Sequence, residues 1–535
     1  MRNNSLVKLD KKDMTRAILT DTQPGDVPIV FSNDGLYINL RRYEKGISGD
    51  IVGNIIENTM LKNDGAKDPY LYRIFKNDRK LRKLSLPHPS SQIKMCEIYQ
   101  TYSPQIVKLC ARSNFSIRSP QKVGSSFYVK GKNKQHFLKE FNIDTIEDEM
   151  RLRHASSFFS YRGYDRPHKF FESIEYLNLE EKFPFLWITD ISHCFDSIYT
   201  HSIAWACQGK DYTKKHLNNG KFSMPKSSFG DNFDEAVRRS NSNETKSIPV
   251  GPESSRIFAE IILQKIDLSI ENKISEKFNY KIEKDYAIRR YVDDYFIFSI
   301  NQDVSERILA IIQSELSEYN LFISHEKTKE YKRPFSTEIS EAVTKCKALL
   351  KELESMIFSG VASTPINFIR NHERVTKNII DKIKIICADH KKDYSLVSGY
   401  IISALSKFLA RISKSISSHS ERDVHICKGS LYSISDILLF MTSVSPSVAS
   451  SSRLSRSILI CDRNISRYYP RFSSEWRLYI SERIRNIRAN PLPVHDTDGF
   501  IFLEKINLFL STSEFGKTFL LDEERLIEIF LKNRS

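Results

Sequence analysis

The residues best equipped for chemistry are acids. Asp293 and Asp294 lie within Tyr291-Val292-Asp293-Asp294-Tyr295, preceded by Arg289-Arg290 and followed by Phe296-Ile297-Phe298. Two carboxylates between β-rich runs read as the turn of a hairpin with the acids at its tip. Acids also suit a plain solvated turn, but aromatic and aliphatic flanks on both sides bury this hairpin in a sheet. Carboxylates emerging from such a sheet are costly unless they bind a cation. Upstream, Phe185-Leu186-Trp187-Ile188-Thr189-Asp190-Ile191 is a strand-like run that delivers a further carboxylate, followed by Ser192-His193-Cys194-Phe195-Asp196. A hard divalent cation that must also contact phosphate takes one or two protein carboxylates and leaves its other positions to substrate and water. Asp190 with Asp293 meets that demand. Two such cations about 4 Å apart activate an attacking 3′-hydroxyl and stabilise a departing pyrophosphate, which is nucleotidyl transfer.

The elements that must position these acids can be read around them. Ser247-Ile248-Pro249-Val250-Gly251-Pro252 is a turn opening a helical pattern over Ile257 to Leu268. A Pro/Gly turn at that place lets backbone approach a base pair or sugar closely. Downstream, Asn320-Leu321-Phe322-Ile323-Ser324-His325-Glu326-Lys327-Thr328 ends a helix and places Lys327 to face a leaving pyrophosphate; taken alone it also reads as an ordinary surface lysine. From about Ile93 to Tyr331 strand-like and helix-like runs alternate, which implies an α+β or α/β domain.

The chain has 535 residues, enough for more than one buried core, and 40% of them are apolar. Lys and Arg outnumber Asp and Glu by 81 to 66, a surplus of +15 that suits a polyanionic partner such as nucleic acid. Eight cysteines lie far apart with no CxxC pair, so they read as reduced, mostly buried thiols rather than as a zinc ribbon or a disulfide framework. No apolar run approaches the roughly 18 residues of a membrane span, and Met1 to Asp10 is charged where a signal peptide is apolar. A cytoplasmic protein without a membrane partner is the expectation.

After Pro334 strand signals fade. Apolar residues recur at three- and four-residue steps, as at Leu349, Leu350, Leu353 and Ile357, or Ile401, Leu405, Phe408, Leu409 and Ile412. The last 200 or so residues read as all-helical, in the manner of a helical-repeat array or a plain bundle. The Ser-rich stretch from Ser413 to Ser457 contains Leu431 to Met441, too apolar to stay solvated, and reads as helices with serine-rich turns. Between Arg453 and Arg488 nine arginines stand against three acids, interleaved with Tyr468, Tyr469, Phe472, Trp476 and Tyr479. That mixture suits phosphate contact plus base stacking, or a solvated helical face with an aromatic seam to the core.

Order and spacing carry more than any single motif. A strand with Asp190, the Gly251 turn and its helix, the Asp293-Asp294 hairpin and then Lys327 together resemble the palm of a reverse transcriptase, with YVDD its most diagnostic piece. The resemblance implies an α+β fold: an N-terminal extension over 1–90, fingers and palm over 91–335, and a helical-repeat-like domain over 336–535 replacing a thumb. It implies an RNA-directed DNA polymerase with a two-metal Mg²⁺ site held at Asp190, Ile191, Asp293 and Asp294. Catalytic residues are then Asp190, Asp293, Asp294 and Lys327; dNTP-binding residues are Arg118, Phe195 and Gly251. Phe195 falls where family members use a ring to exclude a ribose 2′-hydroxyl, and Arg118 within Phe115-Ser116-Ile117-Arg118-Ser119-Pro120 resembles the motif that grips a triphosphate.

Departures narrow the resemblance. Motif B usually reads Gly-x-Pro-Gln-Gly, whereas here Ser247 stands for the first glycine and Val250 for the glutamine. The strings DISHCFDSIYTHSIAWA (from Asp190), SIPVGPESSRIFAEIIL (from Ser247), RPFSTEIS (from Arg333) and SSFFSYRGYDRPHKFFES upstream are similar to bacterial abortive-infection reverse transcriptases of the AbiK-like group. TDTQPGDVPIVFSNDGLY, near the N-terminus, is similar especially to the b subunit of type-three defence-associated systems. That likeness implies antiphage defence by DNA synthesis. Several such enzymes work without a nucleic-acid template and from a protein hydroxyl, which Tyr37 or Tyr43 would supply. It also implies dNTPs and a DNA product, a noncoding RNA and a second reverse transcriptase as partners, and a homo- or hetero-oligomer. A conventional RNA-templated enzyme of a mobile element would carry a maturase thumb, an endonuclease or an integrase, none of which is spelled out after Pro334. A non-catalytic nucleic-acid-binding scaffold would have no use for intact Asp190 and Asp293.

Overall fold

The computed structural model describes residues 4–27, 31–47, 49–62, 65–76, 80–130, 157–164, 166–210, 213, 228–359, 366–390, 393–416, 424–487 and 503–519. The chain forms two compact units, one of residues 1–25, 32–71 and 84–336, the other of 26–31, 72–83 and 337–535.

In the first unit a four-stranded antiparallel sheet is built from β1 (Phe185–Asp190), β2 (Tyr286–Tyr291), β3 (Asp294–Ser299) and β4 (Lys329–Lys332), in the order β4-β1-β3-β2. Around it run α1 (Pro89–Leu109), α2 (Phe229–Arg239), α3 (Glu253–Phe278) and α4 (Gln302–Ser317). Strand alternation sorts the side chains. Trp187, Ile288, Tyr295 and Ile297 pack with the apolar residues of α3 and α4, while Leu186, Ala287, Phe296 and Phe298 meet Phe170, Tyr176, Leu179 and Phe183. Both faces are covered, which is why β3 reads as an unbroken apolar run.

Helix α3 is longer than its Ile257–Leu268 sequence pattern, because Ile270 and Ile274 continue the buried face by four-residue steps. It starts after Pro252 and ends at Asn279, whose φ of 53° is the left-handed turn that Asn tolerates at a helix end. The N-cap side chains of Ser228 and Asn301 accept hydrogen bonds from Asp231 N and Val304 N, starting α2 and α4.

From residue 338 onward the described part of the second unit is helical: α5 (Glu338–Ile357), α6 (His372–Asp389), α7 (Ser398–Ile416), α8 (Val424–Val444), α9 (Val448–Tyr468), α10 (Pro470–Arg485) and α11 (Leu503–Ser513). Helix α7 packs on α8 and α9, and α9 on α10 and α11. The serines of α9 permit the close approach: Ser455 Oγ donates to the Asn507 carbonyl at 2.7 Å, and Asn507 Nδ2 donates to Ser451 Oγ at 3.0 Å.

One sequence expectation needs correction here, and one alternative is resolved. Helix α8 is, at 21 residues, long and apolar enough for a membrane span by length and composition, although most of it is buried within the protein. The aromatic part of the Arg-rich run belongs largely to the core rather than to bases. Trp476 is fully buried, Tyr432 stacks on Tyr479 with centroids 4.1 Å apart, and Arg477 and Arg483 are paired with Asp462 and Asp436. Arg488 falls outside the described residues.

Candidate active site

The hairpin is tighter than the sequence suggests. Tyr291 pairs with Asp294 across a two-residue turn made of Val292 and Asp293, so Asp294 is already the first residue of β3. On the other side of β3, Asp294 is the register partner of Asp190, the last residue of β1, and Ile191 N donates to the Asp293 carbonyl at 3.1 Å. Register fixes the face: positions 190 and 294 lie on one side of adjacent strands, so the acids from two distant segments become neighbours.

Lys327 joins them from the third segment. It sits in a 3-10 turn, His325–Lys327, fastened by Ser324 N donating to the Asp190 carbonyl at 2.9 Å and by a Thr189–Thr328 hydroxyl contact of 2.9 Å. Its ammonium donates to Asp190 Oδ2 at 2.6 Å, a bond that raises the Lys327 pKa. Burial raises the pKa of Asp293, with the Asp190 charge adding to it. Burial, then the charges of Asp293 and Asp190, pushes Asp294 up to about 7.

Among the described residues no three His, Cys, Asp or Glu side chains close into a metal cage. The acids still fit a hard divalent cation. Asp190 Oδ1 is buried without a hydrogen-bond partner, and the burial and mutual repulsion that raise Asp293 and Asp294 are what a cation offsets. Oxygen-only donors with room for water and phosphate are the Mg²⁺ preference. Ile191, the other expected metal position, is bridged to Ile323 beside them.

The remaining expected site residues divide. Phe195 packs at the edge of the core and its carbonyl accepts from Ile248 N at 3.0 Å, which ties the segment after Asp190 to the turn before α3. In that turn Gly251 has φ 126°, and a Cβ there would lie 2.8 Å from Pro24 Cγ. The open face of this glycine is therefore met by the chain's own proline. Arg118 lines a small cavity together with Tyr161, Glu253 and Val292, the residue before Asp293. Its guanidinium lies 2.6 Å from Glu253 and over the Tyr161 ring at 4.5 Å, with Arg256 on the second Glu253 oxygen at 2.7 Å. Burial alone would raise the Glu253 pKa, but these two guanidiniums outweigh it and hold the carboxyl below its usual range. Tyr37, one of the candidate priming hydroxyls, donates to Asp13 Oδ2 at 2.5 Å.

Sequence reading missed a buried set behind the turn. Arg290, fully buried, reaches Glu260 at 2.9 Å and Asp267 at 2.7 Å, and Tyr295 donates to Asp267 at 2.8 Å. Glu260, Gln264 and Asp267 form a polar stripe at i, i+4 and i+7 on an otherwise apolar helix, and that stripe was the available signal. Removing one member of such a set leaves an uncompensated buried charge, at a cost of about 3–5 kcal/mol.

Residues 138–368 match the family described as reverse transcriptase (RNA-dependent DNA polymerase). No curated protein matches the chain. Among solved structures, telomerase from Candida albicans in complex with a TWJ fragment of telomeric RNA is 10% identical, covering 87% of this chain and 74% of that one, with a TM-score of 0.28. Apo telomerase from Candida tropicalis is 12% identical, covering 87% and 77%, with a TM-score of 0.29. Likenesses that distant say nothing of activity. The antiparallel sheet, its in-register aspartates and the family match agree that the chain carries, over residues 138–368, a domain of the reverse transcriptase family of RNA-directed DNA polymerase nucleotidyltransferases.

Proposed function

We propose that this protein is a Mg²⁺-dependent DNA polymerase that acts in bacterial antiphage defence, in the cytoplasm, with dNTPs as substrates. The observation that carries the polymerase reading is the register of Asp190 against Asp294, with Asp293 bonded through its carbonyl to Ile191. Asp190, Asp293 and Asp294, with Ile191 beside them, would hold the metal. When bound, Mg²⁺ supplies positive charge to the attacking 3′-hydroxyl and the departing pyrophosphate. The chain's own residues do the rest. Lys327 offers an exposed ammonium next to Asp190, suited to charge building on a leaving phosphate. Phe195 and the Gly251 turn, tied together through Ile248, would border the sugar and base. The defence role rests on the similarity of the strings from Thr20, Asp190, Ser247 and Arg333 to abortive-infection enzymes. A noncoding RNA and a second reverse transcriptase would be its partners.

The test is to incubate purified protein with each dNTP singly and in combination, with Mg²⁺ and with RNA removed, and to sequence what is made. Products without template support the defence reading. Strict dependence on added RNA supports a conventional mobile-element enzyme instead, and a folded protein inert in both arms is a scaffold.

A further inference from the structure

The turn that carries Asp293 is held in a conformation its own sequence disfavours. Val292 has φ 57°, in the left-handed region, where a β-branched side chain is strained and where two-residue hairpin turns normally place Asn or Gly. Such a conformation persists only when the surroundings over-determine it. Besides the strand pairing and the Ile191 bond to the Asp293 carbonyl, one side chain reaches the turn. The Arg290 guanidinium donates to the Val292 carbonyl at 2.8 Å, to Glu260 Oε2 at 2.9 Å from the same nitrogen, and through Nε to Asp267 Oδ2 at 2.8 Å.

Its partners are fixed in turn. Tyr295 donates to the second Asp267 oxygen at 2.8 Å, and Gln264 donates to Glu260 Oε1 at 2.9 Å while accepting from Ser113 N at 2.7 Å. The Arg290 main chain is held as well, donating to the Phe115 carbonyl at 2.6 Å and accepting from Ile117 N at 2.9 Å. Arg290, Asp267, Gln264 and Tyr295 are fully buried and Glu260 is 6% exposed, so water does not compete for these bonds.

From this geometry we propose that Arg290 is a positioning residue: it clamps the Val292–Asp293 turn to α3 and thereby sets how tightly the aspartates take a divalent cation. This rests on the metal-site reading above. The planar fork of arginine can serve the turn carbonyl and two carboxylates at once, whereas lysine, a point charge with one nitrogen, cannot hold all three in this geometry. The supports around metal ligands typically change affinity by about 10–100-fold when removed. A merely structural ion pair would lower stability and leave the affinity of the folded protein unchanged.

The experiment measures Mn²⁺ binding to the purified full chain by electron paramagnetic resonance, beside thermal unfolding, for the wild type, Arg290→Lys and Arg289→Lys. Arg289 pairs with Glu175 and Glu283 outside this set and serves as the control. The expected result is binding by the wild type and by Arg289→Lys, and about tenfold or greater weakening in Arg290→Lys at temperatures where it is folded. Should Arg290→Lys not fold, the variant Arg290→Met/Glu260→Gln/Asp267→Asn, which removes the buried charges together, is read in its place. Wild-type binding with undiminished affinity in the Arg290 variant overturns the clamp and leaves the metal site standing; so does equal weakening in Arg289→Lys. No binding by the folded wild type overturns the metal site and the clamp with it.

Discussion

Lys327 Nζ lies 2.6 Å from Asp190 Oδ2, while Asp190 Oδ1 is buried without a partner. One oxygen is thus neutralised by a side chain that is 61% exposed, and the other remains for a cation. The pair belongs to function more than to folding, since an exposed ion pair contributes about 0–1 kcal/mol. Lys327→Met is expected to change unfolding free energy by less than about 1 kcal/mol and to slow DNA synthesis by about 100-fold, the scale of one lost charge-stabilising donor. Single-turnover incorporation alongside a melting curve checks it. An undiminished rate would make the contact incidental.

Gly251 combines φ 126° with Pro24 Cγ and Cβ at 2.8 and 2.9 Å from where a Cβ would stand. Gly251→Ala therefore meets backbone strain and a clash with a rigid ring together, and is expected to destabilise the first unit by about 2–3 kcal/mol. Hydrogen exchange of amides in the 247–258 segment is the measurement. Protection equal to wild type contradicts the close approach.

In the helical unit Glu504 is 5% exposed, and burial, with the Asp26 charge behind it, raises its pKa from 4.5 to about 7. The folded chain then holds a proton that the unfolded chain releases, so the stability this proton supports is full below about pH 4.5 and falls away as pH rises through about 7. Glu504→Gln removes that loss. It is expected to stabilise the protein by about 3 kcal/mol at pH 8, with the gain shrinking toward zero near pH 4.5. Melting curves at the two pH values decide it, and an equal gain at both would refute the titration.

Asp190, Asp293 and Asp294 were legible because short unbroken apolar runs announce buried strands and place acids at strand ends. The antiparallel register that makes Asp190 and Asp294 neighbours was not legible, since pairing joins segments a hundred or so residues apart. The adjacent arginines show the limit best. Arg289 and Arg290 look alike in sequence, yet strand alternation sends one to surface acids and the other into the stripe on α3. Arg118 reads as a triphosphate ligand because a guanidinium suits phosphate; its pairing with Glu253 was not legible, since it joins segments 135 residues apart. Trp476 and Tyr479 read as base platforms or as a seam to the core, and burial of Trp476 with the stacking of Tyr479 on Tyr432 decides for the core.

The most direct measurement is DNA synthesis from dNTPs with and without Mg²⁺ by wild type and Asp293→Asn, each verified as folded by circular dichroism and melting. Asn keeps the volume and removes a cation-binding charge, so the account expects Mg²⁺-dependent synthesis by the wild type and none by the variant with its fold retained. Undiminished synthesis by a folded Asp293→Asn protein would contradict it.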